Sequence, residues 1–406
     1  MQAGIHVGSK TRPKVLKILF VCSCLEPGRD GVGDYTRRLA GELLDRGHHG
    51  GLLSLADPYV NQVTSSDFKS ATGALSCLRL PAACSWPDRV RHAKSFREFV
   101  APDWISWQIV PYGFDPRGLC FGLGGRCREI AGSCSNQIMF HEIWIGEAEQ
   151  APLKNKIVGK LQRLIIKDLL RELAPRVVHT HTPLYRHLLA ALGAQVTILP
   201  LFGNVPLAAH LEPEWLKKKW PESAIPSRAA DRASWWIFVV FGTIHPEWNA
   251  EEFLHQASAA ARRAGKRCLL ISIGRPGAFG ERMLQGLRKR EDQSWRFLPL
   301  GPQPEEDISQ CLLAADFGVS PVPPENVFKS GTAVAMIEHG LPIILTRPVS
   351  RYPRCPPEIL TTGLKNVVTN FELEDLIKTK PGSLLPAVAG QLIDDLQKPD
   401  LSLLHR

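Results

Sequence analysis

The chain has 406 residues, of which 44% are hydrophobic and 22% charged, with a formal net charge of +9 at neutral pH. That length asks for two domains of similar size, and that composition is the one of a globular protein with a sizeable core. No apolar run reaches the ~18 residues of a bilayer span, and no RNP string, zinc knuckle or lysine-rich tail turns the positive charge into a nucleic-acid signal.

The N-terminal stretch carries basic residues ahead of KILFVC, but that run is too short for a signal-peptide core and no small-residue cleavage site follows. We read it as a first buried strand of a cytoplasmic protein. Short apolar runs then alternate with stretches of helical period, which predicts parallel sheets with crossover helices. In the first half the predicted strands are Lys17–Cys22, Gly51–Leu55, Trp104–Val110, Gln137–His141, Arg176–Thr180 and Gln195–Pro200. Helices are expected at Asp34–Arg46, Gly118–Ala131, Leu153–Leu173 and Tyr185–Leu192, while Pro58–Arg97 has no readable pattern. A proline-rich polar stretch, Pro200–Ser234, is the expected linker. The second half restarts with strands at Trp235–Phe241, Arg267–Ile273, Trp295–Leu298, Phe317–Pro321 and Leu341–Thr346. Its helices are expected at Asn249–Ala264, Glu281–Arg290, Glu305–Ala315 and Gly331–Glu338. The expected division is therefore a domain over residues 1–205, a second over 206–383, and a final helix, Leu384–Gln397, able to pack on either. Two doubly wound sheets of this kind place ligands at the carboxyl ends of their strands, in the cleft between domains.

Four segments carry possible chemistry. After the first strand, Gly28, Gly31 and Gly33 lead into a helix beginning near Asp34 and Tyr35, where backbone N–H groups can meet an anion or simply make a tight turn. His141 and Glu142 end a parallel strand and so point to the ligand crevice, where a histidine can bond a hydroxyl or move a proton. His179 and His181 repeat that placement and read rather as structural. The strongest segment runs from Lys329 to Glu338. Ser330, Gly331, Thr332 and Ala333 open a helix whose N–H groups suit a diphosphate, Lys329 adds a cation, and Glu338 sits two turns on, on the face of Ser330. A carboxylate there can accept both hydroxyls of a ribose. Cys120, Cys127, Cys134 and His141 are spaced by sevens, but His141 falls beyond the helix end, so buried free thiols are expected and no metal site.

These motifs in this order resemble the retaining glycosyltransferases of the GT-B fold, of the family 4 type. The match rests on GVGDYT with LAGELLDRGH, His141, Phe241-Gly-Thr-Ile, Ser272–Gly277, Phe297–Gly301, Ala314–Pro321 and the Ser330–Gly340 helix ending in EHGLP. The resemblance implies an α/β protein of two Rossmann-like domains that moves a sugar from a nucleotide diphosphate sugar to an acceptor: a glycan, a lipid-linked acceptor, a small molecule or a protein. It implies donor contacts at Gly31, Gly33, Gly242, Thr243, Gly301, Gln303 and Ser330–Ala333, with Glu338 on the ribose. His141 would meet the transferred sugar, and Asp34, Tyr35 and Glu142 would lie on the acceptor side. It implies retention by a front-face route without a protein nucleophile, with no cofactor or metal required. This chain departs from the family at Ser330, where a glutamate is usual, and at Thr243 and Trp248, where an arginine and a lysine are usual. The loss is about two cationic contacts of roughly 1.5–3 kcal/mol each, and Lys329 can restore one charge. A catalytically silent GT-B-like binding or scaffold subunit and a GT-B sugar-nucleotide epimerase stay open beside the transferase. Leu153–Arg176 is basic and amphipathic, which fits either a peripheral contact with an anionic membrane or a crossover helix with a solvated basic face.

Overall fold

A computed structural model describes residues 14–212, 215–219, 232–292, 294–362, 367–368, 373 and 376–399. Two sheets organise them. The first has eight strands: β1 (Lys17–Cys22), β2 (His49–Asp57), β3 (Thr64–Lys69), β4 (Ala74–Pro81), β5 (Trp104–Ile109), β6 (Ser135–Phe140), β7 (Val177–Thr180) and β8 (Val196–Ile198). Their order is β3-β4-β2-β1-β5-β6-β7-β8, all parallel except β3, which runs antiparallel to β4. The second holds β9 (Trp235–Phe241), β10 (Arg267–Ile273), β11 (Trp295–Gly301), β12 (Phe317–Ser320), β13 (Ile343–Leu345) and β14 (Val367–Val368), in the order β11-β10-β9-β12-β13-β14. Both orders reverse beside the first strand, the switch point at which doubly wound sheets open a crevice.

The apolar runs become strands because both faces of each sheet are covered. In β1, Leu19 and Val21 enter one core while Ile18 and Phe20 enter the opposite one. In β9, Ile237 and Val239 face away from Phe238 and Val240 in the same manner. Burial on both sides removes the polar alternation, so such strands read as continuous hydrophobic stretches.

In the first half the helices are α1 (Gly31–Asp45), α2 (Trp86–Val100), α3 (Leu123–Ala131), α4 (Leu153–Leu173) and α5 (Pro183–Ala190). The short α6 (Trp215–Lys219) follows inside the expected linker, most of whose later residues lie outside those described. The second half has α7 (Ala250–Arg263), α8 (Gly277–Arg288), α9 (Glu305–Ala314), α10 (Gly331–Glu338), α11 (Pro357–Leu360) and α12 (Leu385–Gln397).

Two departures from the sequence reading have physical causes, and one alternative left open is decided. The unread Pro58–Arg97 region folds as the β3–β4 hairpin followed by α2, whose N-cap is Ser85 accepting from the Asp88 N–H. The expected helix from Gly118 begins only at Leu123, because Gly118 and Gly122 both hold a left-handed backbone. And α12 packs on the first sheet: Val388, Leu392 and Leu396 join Leu39 and Leu43 of α1 in one core.

Candidate functional site

The strand ends of the two sheets enclose a cavity of about 400 Å³, within the size range of small-molecule sites. Two helix N-termini reach it, since Gly31 of α1 and Gly331 and Thr332 of α10 are on its wall. They differ in what already occupies them. At α1 the N-cap is an aspartate: Asp30 accepts from the Gly33 N–H at 2.7 Å and from Val32, so a carboxylate fills the anion position. At α10 the N-cap is the neutral Ser330, whose hydroxyl takes the Ala333 N–H at 3.3 Å, while Val334 bonds back to the Ser330 carbonyl at 2.9 Å. The N–H groups of Gly331 and Thr332 then have no acceptor among the described residues. They form the open end of a helix dipole, an arrangement suited to an anion.

Lys329 precedes that end in the chain, and Arg38 lines the same cavity. Lys329 donates to the Tyr185 hydroxyl at 2.8 Å and lies 3.4 Å from Glu142. Burial alone would lower the Lys329 ammonium, but the Tyr185 and Glu142 contacts outweigh it and its pKa rises above the ordinary lysine value. Lys329 thereby ties the second domain to β6 and α5 of the first. Arg38 of α1 is the other cation on the wall; it donates to the Gly203 carbonyl and lies 5.3 Å over the Phe202 ring. Burial lowers its pKa against the raising effect of Glu338.

His141 is buried on the wall, and both its ring nitrogens are engaged. Nε2 lies 2.8 Å from Gln108 Oε1, and Nδ1 lies 2.9 Å from His181 Nε2. His181 Nδ1 in turn reaches the Leu199 carbonyl at 3.0 Å. From Gln108 the chain continues to Ser106, Gln137, His179 and Asp395 on α12. It crosses β5, β6 and β7 and ends on an acceptor at both sides. Seven links join these six side chains to the two acceptors. Burial, then the neighbouring His181, holds His141 well below the usual histidine range, and burial holds His181 down to about 3.

Tyr35 also borders the cavity, stacked on Phe202 with centroids 4.5 Å apart and edge-on to His141 at 4.8 Å. Its hydroxyl is buried and has no hydrogen-bond partner among the described residues. A buried unpaired phenol is costly, so this group is poised to bond a ligand.

The remaining expected residues are placed as follows. Glu142 lines the cavity beside Lys329. Gly33 is off the wall; a Cβ there would stand 2.5 Å from the Cys24 carbonyl, so this glycine lets α1 sit close on the first loop. Asp34 accepts from the Gly28 N–H at 3.0 Å and pairs with Arg37. Gly242 has φ +83 and would press a Cβ to 2.9 Å from Thr332, so it lets the tip of β9 approach α10. Thr243 is exposed near the Arg275 carbonyl. Trp248 is buried in the core with Phe253, away from the cavity. Gly301 and Gln303 lie at the end of β11, where Gln303 bonds the Leu300 carbonyl and Lys219, off the cavity wall. Glu338 is buried and also off the wall: its carboxylate accepts from the Leu384 N–H at 2.7 Å and from Gly203. Burial raises its pKa against those bonds and against Arg38. The cysteines are dispersed, with Cys127 in the core and Cys134 bonded to the Pro102 carbonyl, and no group of three metal-ligating side chains occurs among the described residues.

Arg38, Asp30 and Phe202–Asn204 are among the wall residues that sequence reasoning passed over. Arg38 had a usable signal, lying seven residues after Gly31 and so on the same face of α1. Phe202–Asn204 had none, being hidden in a stretch taken as linker.

No protein-family model and no curated protein sequence matches the chain. Among solved structures it is similar to an α,α-trehalose 6-phosphate synthase from Burkholderia multivorans, with a TM-score of 0.51 and 12% identity over 95% of this chain and 90% of that one. A glycosyltransferase from Rickettsia africae aligns with a TM-score of 0.50 at 11% identity, covering 94% and 88%. A UDP-GlcNAc 2-epimerase from Methanocaldococcus jannaschii gives 0.50 at 9%, covering 94% and 99%. What they share with the chain is the fold: the α/β GT-B architecture, two Rossmann-like domains whose parallel sheets face across a cleft.

Proposed function

We propose that the protein is a glycosyltransferase that takes a nucleoside diphosphate sugar as donor. The observation that carries the reading is the α10 N-terminus, with two N–H groups unclaimed among the described residues, Lys329 just before it in the chain and Arg38 on the same cavity wall. A diphosphate placed there meets a helix dipole and two cations in a half-enclosed cavity, where charge is stabilised more strongly than in water. In the transfer, the bond from the anomeric carbon to the diphosphate oxygen breaks and a bond to an acceptor hydroxyl oxygen forms on the same face. The acceptor proton passes to the departing diphosphate, and the anomeric configuration is retained. Lys329 and Arg38 stabilise the charge that develops on the leaving group. His141, with no ring nitrogen free, acts on the sugar by shape, while the Tyr35 hydroxyl offers the sugar a hydrogen bond.

A second reading, a GT-B-like subunit that binds a nucleotide without turning it over, is favoured by Glu338. A ribose contact would require its carboxylate to leave the Leu384 and Gly203 N–H groups. The experiment that decides is a panel of UDP-, GDP-, ADP- and TDP-sugars, read by thermal shift and by product analysis with and without acceptors. Ligand binding raises apparent stability by mass action, so a binder without turnover is still seen. No shift with any member of the panel would overturn both readings. An altered sugar nucleotide formed without acceptor would replace transfer with epimerisation.

A further inference from the structure

Helix α4 carries two apolar faces. One, with Ile165, Ile166 and Leu169, packs into the core of the first domain. The other stands in solvent: Leu153 is 73% exposed, Ile157 55%, Leu161 37% and Leu164 61%. Steps of four, four and three place these side chains in one ridge along the helix. Phe121, 56% exposed, shares a depression with Leu164 and extends the ridge sideways. Lys154, Lys160 and Lys167 are exposed on the same helix, and none of them forms an ion pair among the described residues. No acidic residue occurs in α4 before Asp168.

We infer that this ridge is a docking surface for an anionic lipid bilayer. The charge pattern selects the occupant: a row of exposed apolar side chains flanked by lysines, with no acidic residue among them, complements an anionic surface with an apolar interior. At about 1.5 Å per residue, a helix of this length lying flat would seat all four side chains at the headgroup boundary, with the lysines level with the phosphates. No helix among the described residues is long and apolar enough to cross a membrane, so the contact is peripheral. The loop from Glu142 to Pro152 joins the cavity wall to the start of α4. This surface stands independently of the chemistry performed in the cavity.

The test is co-sedimentation of the full chain with vesicles of phosphatidylcholine alone and of phosphatidylcholine with phosphatidylglycerol in equal parts. Binding to the anionic vesicles only, weakening as salt is raised, is expected. The double variant Ile157→Ser, Leu164→Ser should lose tenfold or more of that binding with an unchanged melting temperature, since both side chains are already in water. Lys154→Ala, Lys160→Ala and Lys167→Ala should each reduce it roughly fivefold. Failure of the unmodified chain to bind anionic vesicles, or binding undiminished in the double variant, would overturn the inference. So would self-association in solution that the double variant abolishes, which would assign the ridge to a second copy of this chain.

Discussion

His141 Nδ1 lies 2.9 Å from His181 Nε2, inside a buried hydrogen-bond chain that ends on the Leu199 carbonyl. His181 donates its Nδ1–H to that carbonyl, so Nε2 of the neutral ring is an acceptor, and in the tautomer that gives His141 Nε2–H to Gln108 the two facing nitrogens are both acceptors. A proton between them would make the pair cationic. Burial opposes that charge, but a diphosphate beside it would favour it. Binding should therefore take up a proton, and affinity should rise as pH falls. Titration calorimetry with UDP in buffers of differing ionisation enthalpy should show about one proton more for the natural chain than for His181→Ala. Equal proton counts would refute the coupling.

The same depressed histidines shape stability. Below about pH 6.5 an unfolded chain protonates His141 and His181 while the folded one resists, so these groups favour folding above that pH and the benefit is lost as pH falls. Urea unfolding of the natural chain between pH 7 and pH 5 should show falling stability, with a shallower slope in His181→Asn.

Lys329 is the cation that both domains share. Lys329→Met should weaken diphosphate binding by roughly tenfold to a hundredfold, the value of one charged hydrogen bond. Lys329→Arg should recover part of it, since charge is kept while the Tyr185 geometry is not. Calorimetry with the nucleotide identified by the panel measures both.

Glu338 separates a donor contact from a structural one. If its bonds to Leu384 and Gly203 persist when ligand binds, Glu338→Gln leaves one buried N–H facing an amide and should destabilise the fold by about 1–3 kcal/mol. Nucleotide affinity would then change less than twofold. A large loss of affinity at unchanged melting temperature would instead place the carboxylate on the ribose.

Asp395 anchors the far end of the chain of hydrogen bonds, and its bond to His179 holds its pKa down to about 2. Its side chain is 7% exposed. A depressed carboxylate stabilises above its unfolded value, here by roughly 2 kcal/mol at neutral pH, and loses that contribution as pH falls from about 4 toward 2. Asp395→Asn should thus be less stable than the natural chain at pH 7, with about half of the difference left near pH 3 and convergence only toward pH 2.

Much of the architecture was legible because buried parallel strands leave an unbroken apolar trace: KILFVC and WWIFVVF are strands with the expected limits. The β3 strand escaped because TSSDFK is a polar edge whose only partner is β4. Within the cavity, Lys329, Gly331 and Thr332 were legible as a strand-loop-helix signal contained in a few residues. Arg38 meets Gly203 across 165 positions and Glu338 meets Leu384 across 46, and no local pattern encodes contacts of that separation. A sequence reading could see that Glu338 lies at the end of a helix, but not that backbone from another segment had already claimed it.

The packing of α12 on the first sheet also sets an order in time. Val388, Leu392 and Leu396 belong to the core of the domain built on the first sheet, yet they leave the ribosome after everything else that core contains. The β9–β14 sheet, drawn from residues 235–368, can close while the earlier domain still exposes an apolar strip and an unpartnered His179. Domains commonly fold in the order they are made; here the first to be synthesised would be the last to finish. Protease sensitivity of nascent chains arrested before Leu385 should fall mainly in the N-terminal half.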